Sequence, residues 1–504
     1  MGQIKKIMLV TPNSKWLSEG SFWHLHPYPL TLLASALPKG RYDVRIVDSN
    51  LEDHSPEKFS DLVKSWAPDV VGVSVLANEY LVTGLKAVGA VKSVNPGIVT
   101  VMGGVCATTR PLDVIRNPNV DFAVLGEGEY VFPKLLDFIE GNGEFPAEGV
   151  ARMAGDKPDI RRQVHFIKDL DALPFPSNDL IDFDRYANES FKHIVDAPRA
   201  LPYAKMITSR GCPIGCTFCQ VETISGGKTR FQSAKRVVDE IEWLIDKHGI
   251  RAIEFLDDNF LGNRSRAVGI FKEMIARKLP VAWNAANVSE FFLSEELLAL
   301  MKESGCVYLS IAVESGVPRV LKEIIRKPVN LTHAKKMLDT ARELGMDTTS
   351  LWVIGSPGET WEEIRHSIRV AEEMNSDYTK INIATPYPGT ELFNMAVAGG
   401  YLSKDFDFSD IGWGLAAIST EEFSVAQLTI LRAFEWDRLN FTNEEKRAKI
   451  ARMMGVTLDE LASIRKSTLQ RALQATGKAA NANLTDKKVL PPGNVGDIAI
   501  VTAK

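Results

Sequence analysis

Cysteine is scarce in this sequence, and the scarcity excludes one class of protein at once. Five cysteines among 504 residues form an odd, sparse set that does not make a disulfide framework. Long apolar runs are missing as well. No stretch of about 18 uninterrupted apolar residues occurs, so no membrane-spanning helix is expected. Segment 1–13 carries no apolar run ahead of a small-residue cleavage site, and Lys6 stands where N-myristoylation requires Ser or Thr. A strong excess of one charge is also absent. The net formal charge is -5, which leaves no basic field to hold a polynucleotide by phosphate neutralisation, so no nucleic-acid partner is expected. Internal repeats and low-complexity blocks do not occur. The expectation is a soluble cytoplasmic protein.

What is present is ordinary globular material arranged with a clear rhythm. Hydrophobic residues make up 45% and charged residues 24% of the chain, enough for a core in each of two or three domains. Through residues 1–140 short apolar runs alternate with helical patterns. The expected strands are Ile7–Val10, Val44–Asp48, Val70–Val75, Val99–Met102 and Phe122–Leu125, with amphipathic segments such as Pro56–Ser65 and Leu81–Val91 between them. Strands apolar on both faces and separated by helices imply a doubly wound parallel sheet, whose ligands bind at the strand C-termini. Residues 141–200 lose the rhythm and are expected as an irregular connector with a little strand.

A second alternation runs from 201 to 395. Strands are expected at Lys205–Thr208, Ala252–Leu256, Val281–Ala285, Tyr308–Val313, Thr349–Ile354 and Lys380–Ala384, with helical patterns in every gap. Six βα units suggest a partial (β/α)6 barrel of the TIM type, with its chemistry at the strand C-termini. Residues 396–480 read as a helical C-terminal region, with Val425–Phe441 and Glu444–Gln474 the clearest segments, and 481–504 as a flexible tail.

Directly after the first of these later strands comes a loop with Cys212, Cys216 and Cys219. Thiolates in CxxxCxxC spacing converge only if the backbone curls around a common centre, and Gly211, Pro213 and Gly215 favour such a curl. Three cysteines suit a four-iron cluster that normally takes four ligands, leaving one iron open to a small molecule. A structural zinc site would want a fourth protein ligand, and His193 and His248 lie well outside the loop. A zinc site closed from afar, or unligated cysteines, are the alternatives.

This spacing, after the first strand of a βα series, resembles the radical S-adenosylmethionine superfamily. Four later segments match it in order: Phe255–Phe260, Val313–Gly316, Val353–Thr360 and Tyr387–Glu391. The resemblance implies a [4Fe-4S] cluster on Cys212, Cys216 and Cys219. It implies S-adenosylmethionine contacts at Phe218, Asp257, Glu314, Gly355, Pro357 and Gly358. The doubly wound domain ahead of the barrel is similar to that of the cobalamin-binding branch. There the matching residues are Pro12, Asn13, Ser74, Leu76, Gly103, Gly104, Gly126, Glu127 and Gly128, with Ser74, Gly103 and Gly104 lining a groove for the nucleotide tail. A DxHxxG loop is missing: Asp48 is followed by Ser49 and Asn50, and His54 falls at the wrong offset, so no histidine from this loop is expected on cobalt.

The whole is expected as an α/β chain: an N-terminal doubly wound, Rossmann-like cobalamin domain, a partial barrel and C-terminal helices. The activity implied is cobalamin-dependent radical methyl transfer to an unactivated carbon or phosphorus of a small-molecule substrate, with a flavodoxin, ferredoxin or reductase as electron donor. The architecture also resembles anaerobic tetrapyrrole ring-closing enzymes, which transfer no methyl group, and a non-catalytic iron–sulfur or cobalamin sensor is a third reading. Methylthiolation usually needs a second cluster, and no second cysteine set exists. Cys106 and Cys306 are expected as buried packing residues. His24 and His26, at i and i+2, could bind metal, but a lid over the cofactor or plain packing is the expectation. The region about 400–480, with Trp413, Glu435 and Trp436, is expected to help close the substrate pocket.

Overall fold

Strands that are apolar on both faces need cover on both faces, and the first sheet has it. The computed structural model describes residues 3–18, 26–188, 200–403, 405–411 and 414–481. Five parallel strands open the chain: β1 (Lys6–Thr11), β2 (Asp43–Asp48), β3 (Val70–Ser74), β4 (Val99–Gly103) and β5 (Phe122–Val124). Their side chains alternate between two cores. Met8, Val10, Val71, Val73 and Met102 pack under helices Pro56–Trp66 and Leu81–Val94. Ile7, Leu9, Val70, Val99 and Val101 pack against helices Tyr28–Ser35 and Gly128–Ile139. The strand order β2-β1-β3-β4-β5 reverses between β1 and β3, which places a switch-point crevice at the strand C-termini.

The region expected as a connector adds an antiparallel hairpin, β6 (Val150–Ala154) and β7 (Lys157–Arg161), to the free side of β5. Its outer strand carries Lys157, Pro158 and Asp159, residues that blunt an edge. The remaining segment to 188 packs between the two halves of the chain. Tyr186 donates to Asp48 at 2.6 Å, and His26 sits buried among Tyr28, Phe183 and Tyr186. His26 is thus a packing residue, whereas His24 and Trp413 lie outside the described residues.

The second sheet runs in chain order, β8 (Tyr203–Met206), β11 (Ala252–Phe255), β12 (Ala282–Val288), β13 (Cys306–Glu314), β14 (Asp347–Ile354) and β15 (Tyr378–Ile383), all parallel. Between β8 and β11 a short ribbon, β9 (Ser209–Arg210) with β10 (Arg230–Phe231), flanks the cysteine loop. Successive neighbouring strands with a helix in each gap form a partial barrel open between β8 and β15. Helix Val425–Asn440 covers the β15 edge. Asn440 accepts from Thr379 N and donates to Thr379 O, and Arg432 donates to Ile381 O, so backbone groups of the edge strand are satisfied by side chains.

The segment expected as one helix over 444–474 is two, Glu444–Met454 and Leu458–Asn481. Gly455 ends the first in a left-handed conformation with φ 64°, and Thr457 accepts from Glu460 N to start the second. Among the described residues no helix is long and apolar enough to cross a membrane.

Candidate active site

The cysteine loop is stapled to the ends of three strands. Gly211 N donates to Asp258 Oδ2 at 2.9 Å, beyond β11. Thr217 donates from N and Oγ1 to Ile325 O and Ile324 O, beyond β13. Thr217 O accepts from Leu392 N, and Gln220 donates to Pro388 O, both beyond β15. The Tyr387–Glu391 turn therefore meets the loop after β8 and bridges the top of the open barrel. Phe218 packs on Val320, Ile324 and Ile325 from the same side.

Burial pushes the Cys216 thiol up to about 12 and the Cys219 thiol up to about 11, and each senses Cys212 electrostatically. Three mutually close, half-buried sulfurs are poor thiolates until a cationic metal body stabilises them. A structural zinc site would want a fourth protein ligand, whereas three loop cysteines suit a four-iron cluster that leaves one iron open. The donor set fits the cluster.

Asp257 and Asp258 divide the work at the end of β11. Asp257 is fully buried and accepts from Thr208 N and Oγ1 and from Ser209 Oγ, with Arg266 beside it. Its carboxylate braces the strand that leads into the cysteine loop, and the carboxylate on the cavity wall is that of Asp258.

Glu314, the last residue of β13, has φ 70°, a left-handed conformation that a non-glycine residue holds only when its surroundings fix it. Lys327 fixes it, donating to Glu314 Oε1 and to Ala312 O, both at 2.8 Å. Both side chains are buried, and Lys327 also senses Cys216. Lys327 was not singled out in the sequence.

The turn after β14 is held by its own carboxylate. Glu359 Oε2 accepts from Gly355 N and Ser356 N, both at 2.8 Å. Gly355 and Pro357 are buried, while Gly358 is exposed and its carbonyl accepts from Arg319. Burial raises the Glu359 carboxyl from 4.5 to about 7. As pH rises through that interval the unfolded chain gives up this proton before the folded chain does, so folding stability falls between the two values. Glu359→Gln removes the effect. Its unfolding midpoint should match the parent near pH 4 and exceed it at pH 8, by roughly 3 kcal/mol of stability at most. A thermal melt series across that range checks this.

The cobalamin residues expected from the sequence separate into two groups. Ser74, Leu76, Gly103, Gly104, Gly126, Glu127 and Gly128 line one cavity of about 260 Å³ at the switch point. Pro12 and Asn13 lie off it. Pro12 O accepts from Asn50, and Asn13 donates to Asp53 Oδ1 and His54 O, so this loop is tied to the 48–54 turn. His54 lies 3.4 Å from Ser49 and is not a wall residue. At Gly103 a Cβ would meet nothing closer than 3.8 Å, so the missing side chain leaves open space. At Gly104, with φ 86°, a Cβ would lie 2.5 Å from Val75 O, which excludes any side chain. An apolar recess floored by glycines fits a flat, tailed cofactor.

The opposite wall of the same cavity is Ile207, Arg210, Ile224, Ser225, Leu256 and Asp258 from the barrel. Buried charges join the two walls. Arg210, two residues before Cys212, reaches Glu129 at 2.5 Å and Glu127 at 3.3 Å, and Arg230 donates to Glu127 at 2.7 Å. Glu127 also accepts from Ile167 N.

Residues 206–371 match the Radical SAM superfamily and residues 23–136 match the B12 binding domain. The chain is 32% identical over 382 residues to an uncharacterised methyltransferase of Pyrococcus horikoshii, covering 75% of this chain and 79% of that one.

The chain belongs to the cobalamin-binding radical S-adenosylmethionine family.

This enzyme is also 29% identical over 452 residues to the cytidylyl-2-hydroxyethylphosphonate methyltransferase of Streptomyces wedmorensis, covering 80% of this chain and 83% of the relative. Its fold is that of the radical S-adenosylmethionine methyltransferase TsrM of Kitasatospora setae, solved with cobalamin and a [4Fe-4S] cluster bound, with a TM-score of 0.64, 15% identity and coverage of 95% and 100% of the two chains. A [4Fe-4S] cluster, S-adenosylmethionine and cobalamin are its cofactors, and the family is one of cobalamin-dependent methyltransferases.

Proposed function

We propose that this enzyme transfers a methyl group from cobalamin to an unactivated carbon, or to phosphorus, of a small-molecule substrate. The observation that carries the reading is the shared cavity, walled on one side by the glycine loops of the first sheet and on the other by the residues around the cysteine loop. A cluster held by Cys212, Cys216 and Cys219 would supply the one-electron reduction that S-adenosylmethionine cleavage requires, and bound cobalamin would supply the methyl group.

The chain's own residues do the positioning. Cys212, Cys216 and Cys219 hold the cluster in a loop clamped by Asp258 and Thr217. Glu314, Phe218, Gly355 and Pro357 contact S-adenosylmethionine at the strand ends, with Gly358 at the outer end of the turn. Lys327 fixes Glu314 and Asp257 braces the strand before the loop. Ser74, Gly103 and Gly104 admit the cobalamin tail, and Leu76, Gly126, Glu127 and Gly128 surround the rest of the cofactor. The predominantly apolar wall excludes water from a reactive radical. A flavodoxin, a ferredoxin or a reductase serves as electron donor.

The test follows the methyl group. Oxygen-free protein carrying reduced cobalamin is given S-adenosylmethionine labelled in its methyl carbon. The label should appear on the bound cobalamin by mass spectrometry. Cleavage to 5′-deoxyadenosine without any labelled cobalamin would instead favour ring-forming chemistry.

A further inference from the structure

The cysteine loop leaves the barrel and returns to it through the short ribbon of β9 and β10. Arg210 stands opposite Arg230 there, and Ser209 opposite Phe231, so the whole of 211–229, with all three cysteines, closes on two residue pairs. One of those pairs sets like charges face to face, an arrangement that repels. A carboxylate of the first domain relieves it. Glu127 accepts from Arg230 at 2.7 and 2.9 Å, lies 3.3 Å from Arg210 and accepts from Ile167 N at 2.7 Å. Glu129 takes the other terminal nitrogen of Arg210 at 2.5 Å, and Arg230 also donates to Ile167 O and Ser225 O. The four charged side chains are each 15% exposed or less. Just beyond Arg210 the two limbs of the loop touch through backbone: a Cβ on Gly211 would lie 2.5 Å from Lys228 O. The cysteine loop is therefore closed by charges that the first domain supplies.

Glu127, Glu129, Arg210 and Ser225 also stand on the cavity wall. A corrinoid seated there replaces water along one flank of the buried pairs with a low-dielectric body, and the attraction between opposite charges already in contact strengthens as the dielectric falls. We infer that Glu127 is a positioning residue for the cluster: through Arg210 and Arg230 it makes the hold of the cysteine loop depend on whether a corrinoid is bound. The inference rests on the proposed corrinoid site. Cys212 is two residues from Arg210, and Gly211 between them is pinned to Asp258, so firmer seating of Arg210 reaches the first cluster ligand with no loose segment between. Linkage makes the effect reciprocal: the cluster raises corrinoid affinity by the same factor by which the corrinoid raises cluster affinity.

The experiment follows iron leaving the full chain, reconstituted with iron and sulfide and held oxygen-free, when a chelator is added. It is run without cobalamin and with cobalamin at a saturating concentration set by a corrin-absorbance titration. The parent should release iron roughly fivefold or more slowly with cobalamin, and the cluster-bearing chain should bind cobalamin more tightly than the cluster-free chain. Glu127→Gln keeps the size and an acceptor for Ile167 N but not the charge, and should release iron at nearly one rate under both conditions. Arg230 is not a wall residue, so Arg230→Gln cuts the same tie with the cavity wall intact and should bind cobalamin yet lose most of the difference. Melting midpoints of both variants monitor folding. A purely structural tie would lower those midpoints and leave the ratio of the two release rates at the parent value, which would overturn the role of Glu127. A parent that binds cobalamin and releases iron equally fast either way would overturn the coupling while leaving the corrinoid site in place. A parent that binds no cobalamin would overturn the site itself, and the inference with it.

Discussion

Cys216→Ala will lose the cluster, and with it all reductive cleavage of S-adenosylmethionine. Two remaining thiolates cannot hold four irons that already lack a fourth protein ligand. Protein reconstituted with iron and sulfide should show iron and 5′-deoxyadenosine at the background of unreconstituted chain. The loop itself should persist, since Gly211, Thr217 and Gln220 keep their anchors to Asp258, Ile325 and Pro388. Two cysteine controls separate this from general damage. Cys106 and Cys306 are fully buried, and their sulfurs donate to Ala77 O and Tyr308 O. Cys106→Ala and Cys306→Ala should retain iron content and cleavage while losing some stability through cavity formation.

Lys327→Met should be the most destabilising single change at the site. It leaves the Glu314 carboxylate buried, charged and unpaired, which costs about 3–5 kcal/mol when a buried pair is broken from one side. The double variant Lys327→Met with Glu314→Gln removes the orphaned charge and should recover much of that loss. The interaction energy from the cycle should be large because the two groups touch at 2.8 Å. Cleavage of S-adenosylmethionine should stay low in the double variant, because the proposed contact at Glu314 is gone. Unfolding midpoints of the four proteins check the first part and 5′-deoxyadenosine yield the second. Equal midpoints for the parent and Lys327→Met would show that the pair does not hold β13 in its strained end.

How much of this was legible in the sequence follows from what local pattern can encode. The strands of both sheets were readable because residues such as Val70–Val73 and Ile311–Val313 are apolar on both faces and bounded by turn residues. The cysteine loop and the strand-end segments were readable because their chemistry is local in sequence. A little strand was expected within 141–200, but its place in the first sheet was not legible, because the outer strand with Lys157 and Pro158 has no hydrophobic alternation to betray it. The break at Gly455 was missed because the helical periodicity continues on either side of it. Lys327 was invisible because its partner lies 13 residues away across a loop, and the Arg230–Glu127 pair spans 103 residues. Adjacent carboxylates posed a different difficulty. Only the structure shows that Asp257 turns to Thr208 while Asp258 turns to the cavity.

The central claim is that cluster and cobalamin act at one seam between the first sheet and the barrel. Electron paramagnetic resonance of the full chain tests it directly, with cobalt held in its paramagnetic divalent state and the cluster reduced. Two unpaired spins across one shared cavity should broaden and split each other's signals relative to samples holding either centre alone. A spectrum equal to the simple sum of the two separate signals would contradict the shared seam.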